Sequence, residues 1–189
     1  NAADDSDDSL YQFIGQKLTI YDLMYRMIIH SSNLATNIII DLVGAQNVMR
    51  TMKKLGTKNM LVLRGVEDQK AYDAGLNNVT TAHDLMILFR LIGEGRMVSK
   101  DASDQMIKIL EDQRHNEVIP ALLPADVRVA HKTGNITGVE HDSGIVFLPD
   151  GRKYVLVILS KKLADRDSAV KMMAEVSRLI YDFVSGTEN

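Results

Sequence analysis

Lys132-Thr133-Gly134 sets a cation, a hydroxyl and a residue without a side chain in a row, at the end of an apolar strand-like run. Successive side chains on a strand leave by opposite faces, so Lys132 and Thr133 address different sides of the segment. A cation beside a hydroxyl suits an anionic substrate carboxylate. The glycine lets a substrate lie close against the strand backbone. The structural alternative is a strand end with a turn glycine. Far upstream, Ser31-Ser32-Asn33 interrupts an apolar helix-like stretch. By default such a triplet is a helix cap, at Ser32 or at Asn33. Arg64-Gly65-Val66-Glu67-Asp68 carries two adjacent carboxylates in a loop, and the plain reading of these is an exposed salt bridge. Ser168-Ala169-Val170-Lys171 is a literal Ser-x-x-Lys. It opens the last helix, where a first-turn serine and a solvated lysine explain it.

These groups need a scaffold, and 189 residues with 46% hydrophobic content can bury one sizeable core. A net charge of −3 gives no basic footprint for nucleic acid. Strand-sized runs such as Val155–Leu159 are the longest apolar stretches, too short to span a membrane. The absence of cysteine excludes disulfides and thiolate metal sites. His30, His83, His115, His131 and His141 show no metal-ligand spacing on one helix face. His131 and His141 are expected as neighbours across a hairpin, in a hydrogen-bonded structural role. No cofactor is implied, and the methionines at helical spacing read as core filler.

Thr19 is the expected cap of a first helix, with Asp22 three places on. A second helix is predicted over Asn33–Val43, ended by Gly44, and a third over Ala45–Leu55, stopped by Gly56. Residues 64–80 lack apolar periodicity and read as a long surface loop. Thr80 or Thr81 caps a helix to about Ile92, and Ser99 caps another to about Gln113. Strands are predicted from Arg128, over Gly144–Leu148 and over Lys153–Ser160, with Asn135–Gly138 as a turn. Asp167 starts a terminal amphipathic helix bearing Met172, Val176, Ile180 and Phe183. Helices followed by clustered antiparallel strands indicate an α+β fold. Three strands with helices on one face leave a sheet edge to be covered.

His30-Ser31-Ser32-Asn33-Leu34-Ala35-Thr36-Asn37 resembles the aromatic-Ser-Asp-Asn-x-Ala-Ala-Asn segment of class A β-lactamases, with Ser32 in place of the usual Asp and His30 of the aromatic. Lys132-Thr133-Gly134 resembles a second motif of the same penicillin-recognising serine hydrolases. Arg64 and Glu67 resemble that family's loop with one residue too many between them, and position 71 is Ala where the family has Asn. Thr80-Thr81-Ala82 is similar to the family's Thr-Thr-Pro. The resemblance runs from about Thr19 to Val184.

It implies an α+β fold of a helical lobe and an antiparallel sheet flanked by helices. This chain would lack the first helix, the first two strands and the helix bearing the nucleophile. Residues 1–18 read as an acidic loop or a cut N-terminus, and 19–189 as a partial β-lactamase-like domain. The implied reaction is β-lactam hydrolysis through a serine ester. Ser31 would pass a proton to the leaving nitrogen and Asn33 would clamp a substrate carbonyl. Lys132, Thr133 and Gly134 would hold the carboxylate. Asn37, with Arg64 nearby, would pin the loop, and Glu67, with Asp68 as competitor, would activate water. The nucleophilic Ser-x-x-Lys is not among these residues, so the isolated chain is expected to be inactive. Its missing segment is expected as a separate piece, or the chain to self-associate. The alternatives are a D-alanyl-D-alanine peptidase acting on an acyl-peptide, or a non-catalytic penicillin-binding module. The family implies a periplasmic or secreted protein.

Overall fold

Capping sets most of the helical boundaries. The computed structural model describes residues 8–186, so the first seven residues of the acidic stretch lie outside it. They fall into two compact units, one ending at Asp84 and the other starting at Leu85.

The first unit opens with a 3-10 helix, Asp8–Phe13, where the sequence reads as a loop. The reason is apolar: Leu10 is buried with Leu23 and Ala35. Helix α1 (Ile20–Ile29) begins at the expected capping box, Thr19 accepting from Asp22 N. Helix α2 (Asn33–Val43) ends at Gly44, and α3 (Ala45–Lys54) follows directly. The 64–80 loop is less open than its composition suggests. It holds a short helix α4 (Gln69–Asp73), and Val79 bridges to Leu61.

Helix α5 (Ala82–Gly93) starts in the first unit and continues into the second. Asp84, wholly buried, accepts backbone bonds from Lys58 N (3.0 Å) and Asn59 N (2.7 Å). The Lys58 bond, chiefly, holds its carboxyl below the usual carboxylate range against the opposing effect of burial.

In the second unit α6 (Lys100–Glu111) is capped by Ser99. Strands β1 (Arg128–Ile136), β2 (Val139–Phe147) and β3 (Lys153–Leu159) form an antiparallel sheet in sequence order. Strand β1 runs to Ile136, through the expected Asn135–Gly138 turn, because its ladder pairs Ile136 with Val139. Helices cover both faces of the sheet, as the family resemblance implies. Val146 packs in a core with Met173 and Tyr181 of helix α7 (Arg166–Ser185), while Ile145, pointing the other way, meets Gly93 of α5. Gly144 opposes His131, and a Cβ added there would lie 2.5 Å from that of His131.

Helix α7 is capped by Asp165, two residues before the expected start. It buries Met173, Ala174, Ser177 and Tyr181. The stripe read from the sequence turns outward instead: Met172, Val176 and Phe183 are exposed with Leu179, and only Ile180 joins the core. Apolar residues occupy both sides of this helix, so periodicity alone does not select the face that meets the sheet.

Candidate active site

Three asparagines tie the loop after Leu63 in place. Asn78 accepts from the backbone N–H groups of Leu63 (2.8 Å) and Arg64 (3.2 Å) and donates to Arg64 O (3.1 Å). Asn37, one turn into α2, makes a two-point bond to Val66, accepting from its N (2.6 Å) and donating to its O (3.0 Å). A side chain at Gly65 would lie 2.7 Å from Asn37 Oδ1, so this approach requires glycine. Asn33, at the start of α2, donates its amide to Glu67 Oε1 at 3.1 Å.

The link between α1 and α2 resolves the two cap readings. Ser32 is fully buried and accepts from Ala35 N at 3.2 Å, so it is the cap. Asn33 is thereby left to reach the loop. Ser31 takes a left-handed backbone, φ 55°, and Glu67 does so too, φ 60°. A side chain in that region costs on the order of 1 kcal/mol or more, and such strain is concentrated at functional sites. Asp68 is engaged elsewhere: it caps α4, accepting from Ala71 N at 3.0 Å. The Arg64 guanidinium lies over the Tyr72 ring and donates to Gly65 O.

The second unit holds Lys132, Thr133 and Gly134 in β1, paired with Ser143, Asp142 and His141. Lys132 Nζ donates to Thr133 O at 2.6 Å. Burial pushes the lysine down to about 8, partly opposed by the Asp142 carboxylate. Behind this segment His131 is buried. Its Nδ1 faces both Asp142 oxygens (2.9 and 3.1 Å), and its Nε2 faces Asn116 Oδ1 (3.0 Å). Asp142 also accepts from Ile119 N at 2.9 Å. His131 is hydrogen-bonded as expected, but not beside His141, which pairs with Gly134. Ser168 and Lys171 lie exposed at the start of α7.

A model of a β-lactamase enzyme family matches residues 3–184, nearly the whole chain. The chain belongs to the β-lactamase enzyme family. It is 29% identical over 178 residues to a β-lactamase of Bacteroides uniformis, covering 87% of this chain and 60% of that protein. It is 25% identical over 183 residues to the extended-spectrum β-lactamase PER-1 of Pseudomonas aeruginosa, covering 92% of this chain and 59% of PER-1. The chain thus spans about three-fifths of the length of these curated relatives. Among solved structures it is similar to PBP-A, with TM-score 0.87 and 29% identity over 97% of this chain and 68% of the other. A mutant of PBP-A, solved as an acyl-enzyme complex with penicillin G, is similar at TM-score 0.81 and 29% identity over 89% and 62% of the two chains.

Within this β-lactamase-family chain, the first unit gathers Asn33, Asn37, Arg64 and Glu67 around one loop, with Ser31 two residues before Asn33. The second gathers Lys132, Thr133 and Gly134 on one strand. Sequence reasoning missed Asn78 and the Asn116–His131–Asp142 network. Asn78 left a weak signal, an asparagine in a Gly- and Asn-rich loop beside a strand-like residue. Of the network only a hydrogen-bonded His131 was expected, and its partners Asn116 and Asp142 left no signal because they come from separate segments.

Proposed function

We propose that this chain is the larger part of a serine β-lactam hydrolase that works through an acyl-enzyme. The hydrogen bond between Asn33 and Glu67 carries this reading, since it joins the amide clamp to an exposed carboxylate that can take a proton from water. Lys132 and Thr133 hold the ring carboxylate, and Gly134 leaves room for the substrate. Asn33 donates to the acyl carbonyl, and Ser31 passes a proton to the ring nitrogen as it leaves. Asn37 and Arg64 keep the loop in its bent form. The nucleophilic serine belongs to a segment outside these 189 residues, and the exposed stripe on α7 supports a further segment packing there. In deacylation the water oxygen adds to the ester carbonyl while its proton passes to Glu67. The tetrahedral centre then collapses, and the serine oxygen leaves with that proton. The family supports an exported protein, periplasmic or secreted, and no helix among the described residues is long and apolar enough to cross a membrane.

A second reading, a D-alanyl-D-alanine peptidase that acylates but deacylates slowly, is favoured by the likeness to PBP-A, whose mutant holds penicillin G as an acyl-enzyme. Two assays on the full gene product separate the readings. Nitrocefin turnover supports the hydrolase. Burst labelling by a fluorescent penicillin without turnover overturns it in favour of the peptidase. Neither turnover nor labelling leaves a non-catalytic module.

A further inference from the structure

A cleft of about 460 Å³ opens in the second unit between the Asn135–Val139 end of the β1–β2 hairpin and the Leu163–Arg166 segment. It begins one residue past Gly134. The backbone fixes both walls: Leu163 N donates to Gly138 O at 3.0 Å, and the Ser160 N and Oγ both donate to Glu140 O. Ile136, Val139 and Leu163 give apolar surface, and Arg166 supplies a cation. The side chain of Arg166 is 54% exposed, and its Nε lies 2.7 Å from Oε2 of the buried Glu140. This is a charge contact without hydrogen-bond alignment. The Nε side of Arg166 thus faces the protein, toward Glu140.

We propose that this cleft is a carboxylate-accepting subsite with Arg166 as its cation. The proposal rests on the β-lactam reading for its ligand class, a β-lactam whose acyl substituent carries a second carboxylate. A guanidinium has two donor edges, and a carboxylate fits the outer one in a bidentate pair. Glu140 occupies the inner side of Arg166 and anchors its guanidinium, which leaves the outer edge for a ligand. Strand β1 has no strand partner on its outer edge among the described residues. An extended ligand held at Lys132 and Thr133 can add along that edge toward Ile136, as peptides add to open sheets. Asn135 and Ile136, at the end of that edge, also line the cleft. Glu140 also lowers the cleft's net charge, so it weakens the anion site that it anchors.

Benzylpenicillin and carbenicillin, which differ by one carboxylate on the acyl group, test the subsite in the full gene product. The ratio of their affinities is the readout. Arg166→Gln lowers the preference for carbenicillin about tenfold, the scale of one charge-assisted pair, and Arg166→Lys retains part of it. Glu140→Gln raises the preference, which a merely structural ion pair would not do. An unchanged ratio in Arg166→Gln, or a lower one in Glu140→Gln, overturns the proposal. If neither penicillin binds, the β-lactam reading has failed and phenylmalonate alone decides the subsite. A saturable shift of the Arg166 Nε–H resonance on adding phenylmalonate supports it, and the absence of that shift overturns it. Where Glu140→Gln does not fold, the Arg166→Gln and Arg166→Lys pair gives the answer.

Discussion

Asn33 and Glu67, 34 residues apart in the chain, meet at 3.1 Å through the amide nitrogen of one and the carboxylate of the other. The bond orients Glu67 without closing it off, because the glutamate remains exposed. Glu67→Gln keeps the hydrogen bond's shape and removes the carboxylate proposed as the base. Deacylation is then expected to slow by roughly 10²–10⁴, the usual worth of a positioned base, while acylation persists. Intact-protein mass spectrometry after mixing with penicillin should show the acyl adduct accumulating. An adduct that clears at the wild-type rate counts against Glu67 as the base.

Gly65→Ala tests the asparagine staple. The new methyl group must displace Asn37 Oδ1, which would otherwise lie 2.7 Å away. Loss of one Asn37 bond to Val66 is expected to cost about 1 kcal/mol and to loosen the loop. Faster amide hydrogen exchange at Val66 than in wild type is the readout. Unchanged protection would mean that the loop is held without Asn37.

Ser31→Gly relieves a left-handed backbone while giving the unfolded chain more freedom. The two effects leave a net change within about 1 kcal/mol, with the hydroxyl proposed to pass the proton removed. Thermal unfolding near the wild-type temperature is therefore expected together with slowed acylation. A large drop in melting temperature would show instead that the Ser31 side chain holds the α1–α2 link together.

Lys132 gives a pH signature. With its pKa lowered to about 8, the cation is lost as pH rises through that value. Carboxylate ligands should bind about tenfold more weakly per pH unit above it. The stability effect has the opposite sense. The unfolded lysine holds its proton up to about 10.5, so burial of the charge opposes folding fully below pH 8. That penalty fades between pH 8 and 10.5. Lys132→Met should thus raise the melting temperature at pH 7 while weakening carboxylate binding. A variant less stable than wild type at pH 7 would sink this account.

Asp84 works in the other direction. Its folded pKa is lowered, chiefly by the Lys58 N–H, so its contribution is present above the ordinary carboxylate range. It is lost as pH falls through the folded value. Asp84→Ala leaves two backbone donors without their acceptor and should cost about 1–3 kcal/mol at pH 7, less in strong acid. Denaturant melts of both proteins at pH 7 and pH 3 measure the difference.

Features set within a few residues are legible in this sequence. Thr19 and Ser99 cap helices where they stand, and Gly44 ends α2, because each acts on backbone groups three or four residues away. The Lys132-Thr133-Gly134 strand and the Asn33–Asn37 helix face were readable for the same reason. What escaped depends on partners brought by the fold. Asn78 reaches Leu63 and Arg64, 15 and 14 residues back. His131 joins Asp142 across a ladder whose register the sequence does not show. Helix α7 is apolar on two sides, so its buried face is chosen by what the sheet offers.

The near-contact at Gly144 has a further consequence. A one-residue slip of β2 would set Ser143 or Ile145 against His131, and each carries the Cβ that the site has no room for. One missing methyl group thus acts as an alignment key between the two strands. Because Lys132 follows His131, the same key fixes where along the sheet the cation is presented.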